Sequence, residues 1–119
     1  MTDWRETFQG VRAVWNGEAN VDDLDRLLAP NYRGHLGSRD RDLARLKNDI
    51  VAYRAAAPNA EFRLEHQFCE GDYVATRWTA SRNVGTEAQE SICGINISRW
   101  ENGLLAEEWA VWESFSAGS

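Results

Sequence analysis

Residues 60–82 read "AEFRLEHQFCEGDYVATRWTASR", and this stretch decides the fold. Upstream of it hydrophobic residues recur every three or four positions; within it they recur every second one. Phe62, Leu64, His66 and Phe68 alternate with Arg63, Glu65 and Gln67, the pattern of a half-buried strand. The "EGD" at 70–72 signals a tight turn, so "YVATRWTASR" returns as the second arm of a hairpin. A third strand, Glu90 to Trp100, meets a fourth, Leu104 to Phe115, through Asn102-Gly103, a pair that favours a two-residue hairpin turn. Four consecutive antiparallel strands are expected.

Toward the N-terminus the period is helical. Asp3 and Glu6 stand at capping-box spacing with Asp in the Ser/Thr place, and Trp4, Phe8, Val11 and Trp15 form one stripe that Gly17 ends. A short second helix is expected after Asn20, burying Leu24, Leu27 and Leu28, with Pro30 as its stop. "NYRGHLG" at 31–37 is a brief extended piece. Ser38 is expected to cap a third helix whose stripe is Leu43, Leu46, Ile50 and Tyr53, ending at Ala57 before Pro58. Helices first and strands second is the order of an α+β domain. It spans residues 1–119 as one unit, a bent sheet wrapped around helices with a pocket on its concave face.

Composition narrows the function classes. With 119 residues, 43% hydrophobic, the chain is long enough for one core and too short for two. A formal charge of −6 and a pI near 4.9 oppose nucleic-acid binding, because no basic stripe exists to neutralise phosphates. There is no long apolar run and the N-terminal residues are polar, so no membrane contact is expected and a cytoplasmic location is. Cys69 and Cys93 lack metal spacing and read as reduced thiols. No HxH or HxxE pattern and no Gly-rich phosphate loop is present, so neither metal nor cofactor is expected.

Glu107, Trp109, Val111 and Glu113 share one parity of the last strand and are expected to enter the pocket, with Trp112 on the opposite face. A carboxylate desolvated among Trp109, Val111 and the helix stripe is a competent base toward a proton alpha to a carbonyl. His35, His66 or Arg77 could then donate to the enolate oxygen. Glu107 has a second reading, an ion pair with Arg77 or Arg99, and His66 a second reading as a core histidine. Of the six tryptophans, Trp4, Trp15 and Trp78 are expected in the core, while Trp100 and Trp112 face outward and suit a homodimer interface.

The stretch from Pro58 to Glu113, carrying "PNAEFRLEHQFCEGDYVATRWTA" and "GINISRWENGLLAEEWAVWE", resembles the SnoaL-like polyketide cyclases of the NTF2-like superfamily. Their pattern runs through a Pro-started strand, a Gly-Asp turn, an Arg-Trp-Thr core, an Asn-Gly or Asp-Gly turn and a Glu-x-Trp-x-x-x-Asp ending. The resemblance implies a cone-shaped fold with an internal pocket and a cofactor-free cyclase or isomerase acting on a small hydrophobic, polyketide-like molecule. It places Glu113 where the family has its acid/base Asp, and His35 where the family often has a pocket His. Trp109, Glu107, Arg77, His66, Tyr53 and Val111 are the residues expected to contact substrate. The chain departs in having Glu for that Asp and a shorter loop, "SRNVGTEAQES". The superfamily also holds non-catalytic binders and epoxide hydrolases, and Glu107, Glu113 and Arg77 are the carboxylates and arginine expected for the latter.

Overall fold

The computed structural model describes residues 3–115. Its elements are α1 (Trp4–Trp15), a 3₁₀ turn (Val21–Asp23), α2 (Leu24–Leu27), β1 (Leu28–Leu36), β2 (Arg39–Arg41), α3 (Leu43–Ala56), β3 (Glu61–Glu70), β4 (Tyr73–Arg82), β5 (Glu90–Glu101) and β6 (Leu104–Trp112). Asp3 starts α1 by accepting from the Arg5 amide at 3.0 Å. The expected β-turn between β5 and β6 forms with Asn102 at φ 53° and Gly103 at φ 78°, the double left-handed conformation that a type I′ hairpin needs.

Two local expectations give way. α3 is capped by Asp42, which accepts from the Arg45 amide at 2.9 Å. Ser38 instead occupies a hairpin bend, because Arg39–Arg41 folds back to pair with Gly34–Leu36. Pro30 ends no helix. α2 stops at Leu27, and the strand that begins at Leu28 passes through Pro30 where the pairing jumps from Leu28 to Arg33, so the missing N–H breaks no ladder bond.

The sheet therefore has six strands rather than four, in the order β2-β1-β6-β5-β4-β3. β1 runs parallel to β6 and every other neighbour is antiparallel. The helices lie in its concave face. Phe8, Val11 and Val14 of α1 and Leu46 and Ile50 of α3 meet Leu24, Leu28, Val74 and Leu105 in one buried cluster. At the far edge Asn16 acts as a surrogate strand, accepting from the Phe62 amide at 2.6 Å and donating to its carbonyl at 3.1 Å. Among the described residues no helix is long and apolar enough to cross a membrane.

Two β-bulges decide which side chains face the helices. On β3, Leu64 opposes Trp78 and His66 opposes Arg77, leaving Glu65 as the extra residue. His66 and Phe68 therefore turn to the convex face, although they share parity with Phe62 and Leu64. On β6, Leu105 opposes Trp100 and Glu107 opposes Arg99, so Ala106 is extra and the inward set downstream becomes Glu108, Ala110 and Trp112. Trp100, expected outside, has the inward parity of Ser98. It is 6% exposed, donates to Ser98 Oγ at 2.9 Å and packs on Phe8 with ring centroids 5.7 Å apart. Trp100→Ala should cost about 3–5 kcal/mol in urea unfolding, the range for emptying a large aromatic site. An outward Trp100 would cost under about 1 kcal/mol.

Candidate active site

Small inward residues on neighbouring strands, Ala80, Gly94 and Ala110, leave room between the sheet and the helices. The result is a cavity of about 480 Å³ with mostly apolar walls, among them Val11, Trp15, Phe62, Leu64 and Trp78. Four of its polar side chains, Arg41, Asp49, Asn96 and Glu108, meet in one cluster, and Arg12 and Arg39 also line it. Arg41 at the end of β2 sends Nη2 to Glu108 Oε1 at 3.1 Å, Nη1 to Asp49 Oδ2 at 3.4 Å and Nε toward the Tyr32 hydroxyl at 3.4 Å. Tyr32 donates to the same Glu108 oxygen at 2.5 Å, and Asn96 Nδ2 donates to the other at 3.2 Å. Two carboxylates thus bracket one guanidinium.

The cluster is shielded from water. The side chains of Arg41 and Glu108 are each 9% exposed, and Tyr32 is buried. Burial opposes the charge on Arg41, yet Tyr32 and Glu108 outweigh it and hold its pKa above the ordinary value. Burial first, and then the Glu108 carboxylate, raises the Tyr32 phenol so that it stays protonated and donating. Gly34 makes the arrangement possible. It pairs with Arg41 on one side and Glu108 on the other, and a Cβ there would lie 2.6 Å from the Tyr32 hydroxyl and 3.1 Å from Arg41 Cγ.

The expected site residues separate into two groups. Tyr53 lines the cavity, with its hydroxyl buried and without a hydrogen-bond partner among the described residues. Glu113 also lines it, but not by strand parity. β6 ends at Trp112, the Glu113 amide still donates to the Cys93 carbonyl at 3.0 Å, and Glu113, Ser114 and Phe115 line the mouth, with Glu113 itself exposed. Glu113 Oε1 accepts from the Cys93 amide at 2.8 Å. Trp112, expected outside, lines the cavity as well.

Glu107, Trp109, Val111, His35, His66 and Arg77 belong to the convex face, the reverse of the expected placement. The alternation on β6 was read correctly, but the Ala106 bulge assigns the odd residues to the outside. There Glu107 pairs with Arg99 at 3.3 Å, one of the two arginines anticipated. Arg77 reaches Cys93 Sγ at 3.5 Å and is exposed, as is His66. The residues that the sequence reading missed are Tyr32, Arg41, Asp49, Asn96 and Glu108. Their one signal in the sequence was the even-numbered set Ala80, Gly94 and Ala110, small enough to mark the cavity side. Among the described residues no three of His, Cys, Asp or Glu are grouped to hold a metal ion.

Comparison with known proteins agrees with this architecture. The family model of the SnoaL-like polyketide cyclases matches residues 5–117. IdmH from Streptomyces antibioticus, described as a candidate polyketide cyclase, superposes with a TM-score of 0.78 at 21% identity over 92% of this chain and 91% of that one. TsrD from Streptomyces laurentii gives 0.77 at 24% identity, covering 92% and 87%. A candidate isomerase of the SnoaL-like family from Agrobacterium tumefaciens gives 0.75 at 18% identity, covering 96% and 100%. These likenesses establish the α+β, NTF2-like fold. No curated protein matches the chain.

The outer cluster carries a pH signature of its own. His35 Nε2 lies 2.7 Å from Glu107 Oε2 and Nδ1 lies 2.9 Å from Asp40 Oδ1. Both neighbours are acceptors, so both ring nitrogens must donate and the imidazole is a cation. The bond to Glu107, followed by that to Asp40, raises the His35 pKa above its ordinary 6.5. The same His35 bond lowers Glu107 below its ordinary 4.5. A raised histidine adds stability that is complete below pH 6.5 and fades as pH climbs through its folded value; a lowered carboxylate adds stability lost as pH falls through its own. His35→Gln should therefore destabilise most between pH 4.5 and 6.5 and progressively less above, by urea unfolding across pH. A variant with equal destabilisation at pH 6 and pH 9 would refute the cation.

Proposed function

The chain belongs to the SnoaL-like polyketide cyclase family, and from that premise we propose that it is a cofactor-free acid/base catalyst, a cyclase or isomerase acting on a small, carbonyl-activated hydrophobic intermediate. The observation that carries the proposal is a buried, fully charged guanidinium held by Asp49 and Glu108 at the wall of an apolar cavity. Among the described residues, partners meet three of Arg41's five N–H groups, at Nε, Nη1 and Nη2. The other two are available to an oxygen on which negative charge develops. Fixed donors in a water-poor site stabilise such charge without reorganising, and each can contribute about a hundred- to a thousandfold in rate.

Glu113 is the base in this scheme. One of its oxygens is held by the Cys93 amide, which orients the carboxylate at the cavity wall, and in this scheme the other takes the proton. Removing a proton alpha to a carbonyl would place the enolate oxygen toward Arg41. The carbanion carbon can then attack a second carbonyl, for cyclisation, or be reprotonated at another position, for isomerisation. Glu108 has both oxygens committed to Tyr32, Arg41 and Asn96, and serves to hold Arg41 in place. His35 has no part in this scheme.

A specific feature favours a second reading. Asp49 and Glu108 on either side of Arg41, with Tyr32 and Asn96 beside them, form the carboxylate–arginine–carboxylate arrangement that hydrolysis of an epoxide requires. The trio expected for that role, Glu107, Glu113 and Arg77, is split between the two faces of the sheet. In this reading one carboxylate takes a proton from water as the water oxygen bonds to an epoxide carbon and that C–O bond breaks; the other group, carrying a proton as the carboxylic acid, gives it to the released oxygen, and a vicinal diol leaves.

The assembly proposed is a homodimer through the convex face. Phe68, Tyr73, Ile95, Ile97, Trp109 and Val111 are 39–72% exposed there, a patch that a monomer would leave in water. It replaces the expected pair of Trp100 and Trp112, both of which point inward. Sedimentation should find a dimer at micromolar concentration that Ile97→Lys converts to a folded monomer; a wild-type monomer would exclude this interface.

Thermal shifts against 1,3-dicarbonyl, polycyclic ketone and epoxide panels, followed by turnover assays, separate the functional readings. A catalytic Glu113 predicts that Glu113→Gln loses about two to four orders of magnitude in turnover of a carbonyl substrate while binding stays within a few fold. Loss of epoxide turnover in Asp49→Asn, with Glu113→Gln unaffected, would select the hydrolase. Hits that bind both variants and wild type equally, with none converting them, would make the protein a binding module.

A further inference from the structure

The cavity wall is built on a residue that has no side chain. Trp78 on β4 opposes Gly94 on β5, and Gly94 in turn opposes Trp112 on β6. The Trp78 indole lies directly across Gly94. A Cβ at position 94 would sit 2.1 Å from Cζ2, 2.3 Å from Cε2 and 2.5 Å from Cη2 of that ring. Carbon atoms in contact need about 3.5–4.0 Å, so even an alanine would lift the benzo ring by roughly 1.5 Å. The backbone of β5 lies beneath, and the open direction is the cavity, which Trp78 lines.

The indole is also tied to the charged cluster. Trp78 Nε1 donates to Asn96 Oδ1 at 2.8 Å. An indole nitrogen is only a donor, so the Asn96 carbonyl must face it, and the Asn96 amino group then faces Glu108 Oε2 at 3.2 Å. Phe62, with its ring centroid 5.3 Å from Trp78, and Trp112, at 6.3 Å, continue the same aromatic surface.

We infer that Gly94 is the specificity-determining residue of the cavity: by letting Trp78 lie flat on the sheet it sets the depth beside Arg41, and so the width of ring system that can reach the cluster. The inference rests on the cavity being the ligand site, as proposed above. Gly94 itself touches no ligand. It acts through the height of Trp78, and a larger residue would convert a site for fused rings into one for a single ring.

Ligand-observed NMR titration of the intact protein with two neutral ketones, acetophenone and 2-acetylnaphthalene, tests this. Gly94→Ala should weaken the naphthyl ketone about tenfold or more, the scale of overpacking by one methyl group, and leave acetophenone within about threefold. The double variant Gly94→Ala/Trp78→Leu should restore naphthyl binding to within about threefold of wild type, because the lifted ring is gone. Trp78→Phe keeps a flat ring without the N–H and should retain both ketones. If Gly94→Ala fails to fold, recovery of folding in the double variant establishes the same clash, and its naphthyl affinity completes the test. Gly94→Ala binding both ketones as wild type does would overturn the inference while leaving the ligand site intact. A wild-type protein that binds neither ketone overturns the ligand site and the inference with it.

Discussion

A guanidinium taken out of water must have its charge met where it lies, and that requirement governs the pairing of β1 with β6. Glu108 can reach Arg41 and Tyr32 only while Gly34 stands opposite it in the parallel register. A slip of one residue would carry Glu108 to the convex face and leave Arg41 buried without its nearest counterion. Breaking a buried pair that way costs about 3–5 kcal/mol, against a total stability of about 5–15 kcal/mol for a domain of this kind. The ladder of β1 and the fold-back of β2 are thus fixed by a charge as firmly as by their hydrogen bonds. The positions of α3, which supplies Asp49, and of the cavity follow from them.

β6 shows how one strand serves two chemistries. Glu107 and Glu108 are adjacent, and alternation sends them to opposite faces. The outer carboxylate meets His35 and Arg99 in a partly solvated cluster, where salt screens the interaction and pH switches it. Its inner neighbour meets Arg41, Tyr32 and Asn96 behind the sheet, where screening is weak and the pairing is set by geometry. The ring of His35 stacked on Trp109, centroids 5.4 Å apart at 20°, places the titrating group beside the apolar patch proposed as the dimer face.

The sequence carried the architecture well and the site badly, for identifiable reasons. Hairpin turns and helix caps are local, so Asn102-Gly103 and Asp3 could be read from a few residues. The resemblance to the SnoaL-like family covered nearly all the chain and gave the fold. Bulges are not local signals: nothing in "LEHQF" or "LLAEEW" marks Glu65 or Ala106 as extra, yet each inverts every side chain beyond it. His66 and the Glu107, Trp109, Val111 set were misplaced by that inversion alone. The parallel pairing of β1 with β6 joins residues 28–36 to 105–110, and no local pattern announces a contact so distant in sequence. Arg41 and Asp49 flank or lie outside the apolar stripe of the third helix, and burial of a charge becomes legible only when its partners are known.

The choice among functions then turns on what the cluster is for. A module that only binds apolar molecules needs apolar walls, and replacing a buried ion pair with well-packed hydrophobic residues is often neutral or stabilising. Holding Arg41 and Glu108 out of water carries a desolvation cost that the binding reading leaves without a use, whereas both catalytic readings employ the cluster directly. Between those two, water decides. Proton transfer to and from an enolate gains from a dry cavity, and hydrolysis needs one ordered water beside a carboxylate. Trp112 and Phe115 at the mouth, next to Glu113, are the side chains whose packing over a bound ligand would exclude that water. The isomerising and cyclising reading therefore asks for a ligand wide enough to reach them, which returns the question of mechanism to the depth of the aromatic wall over Gly94.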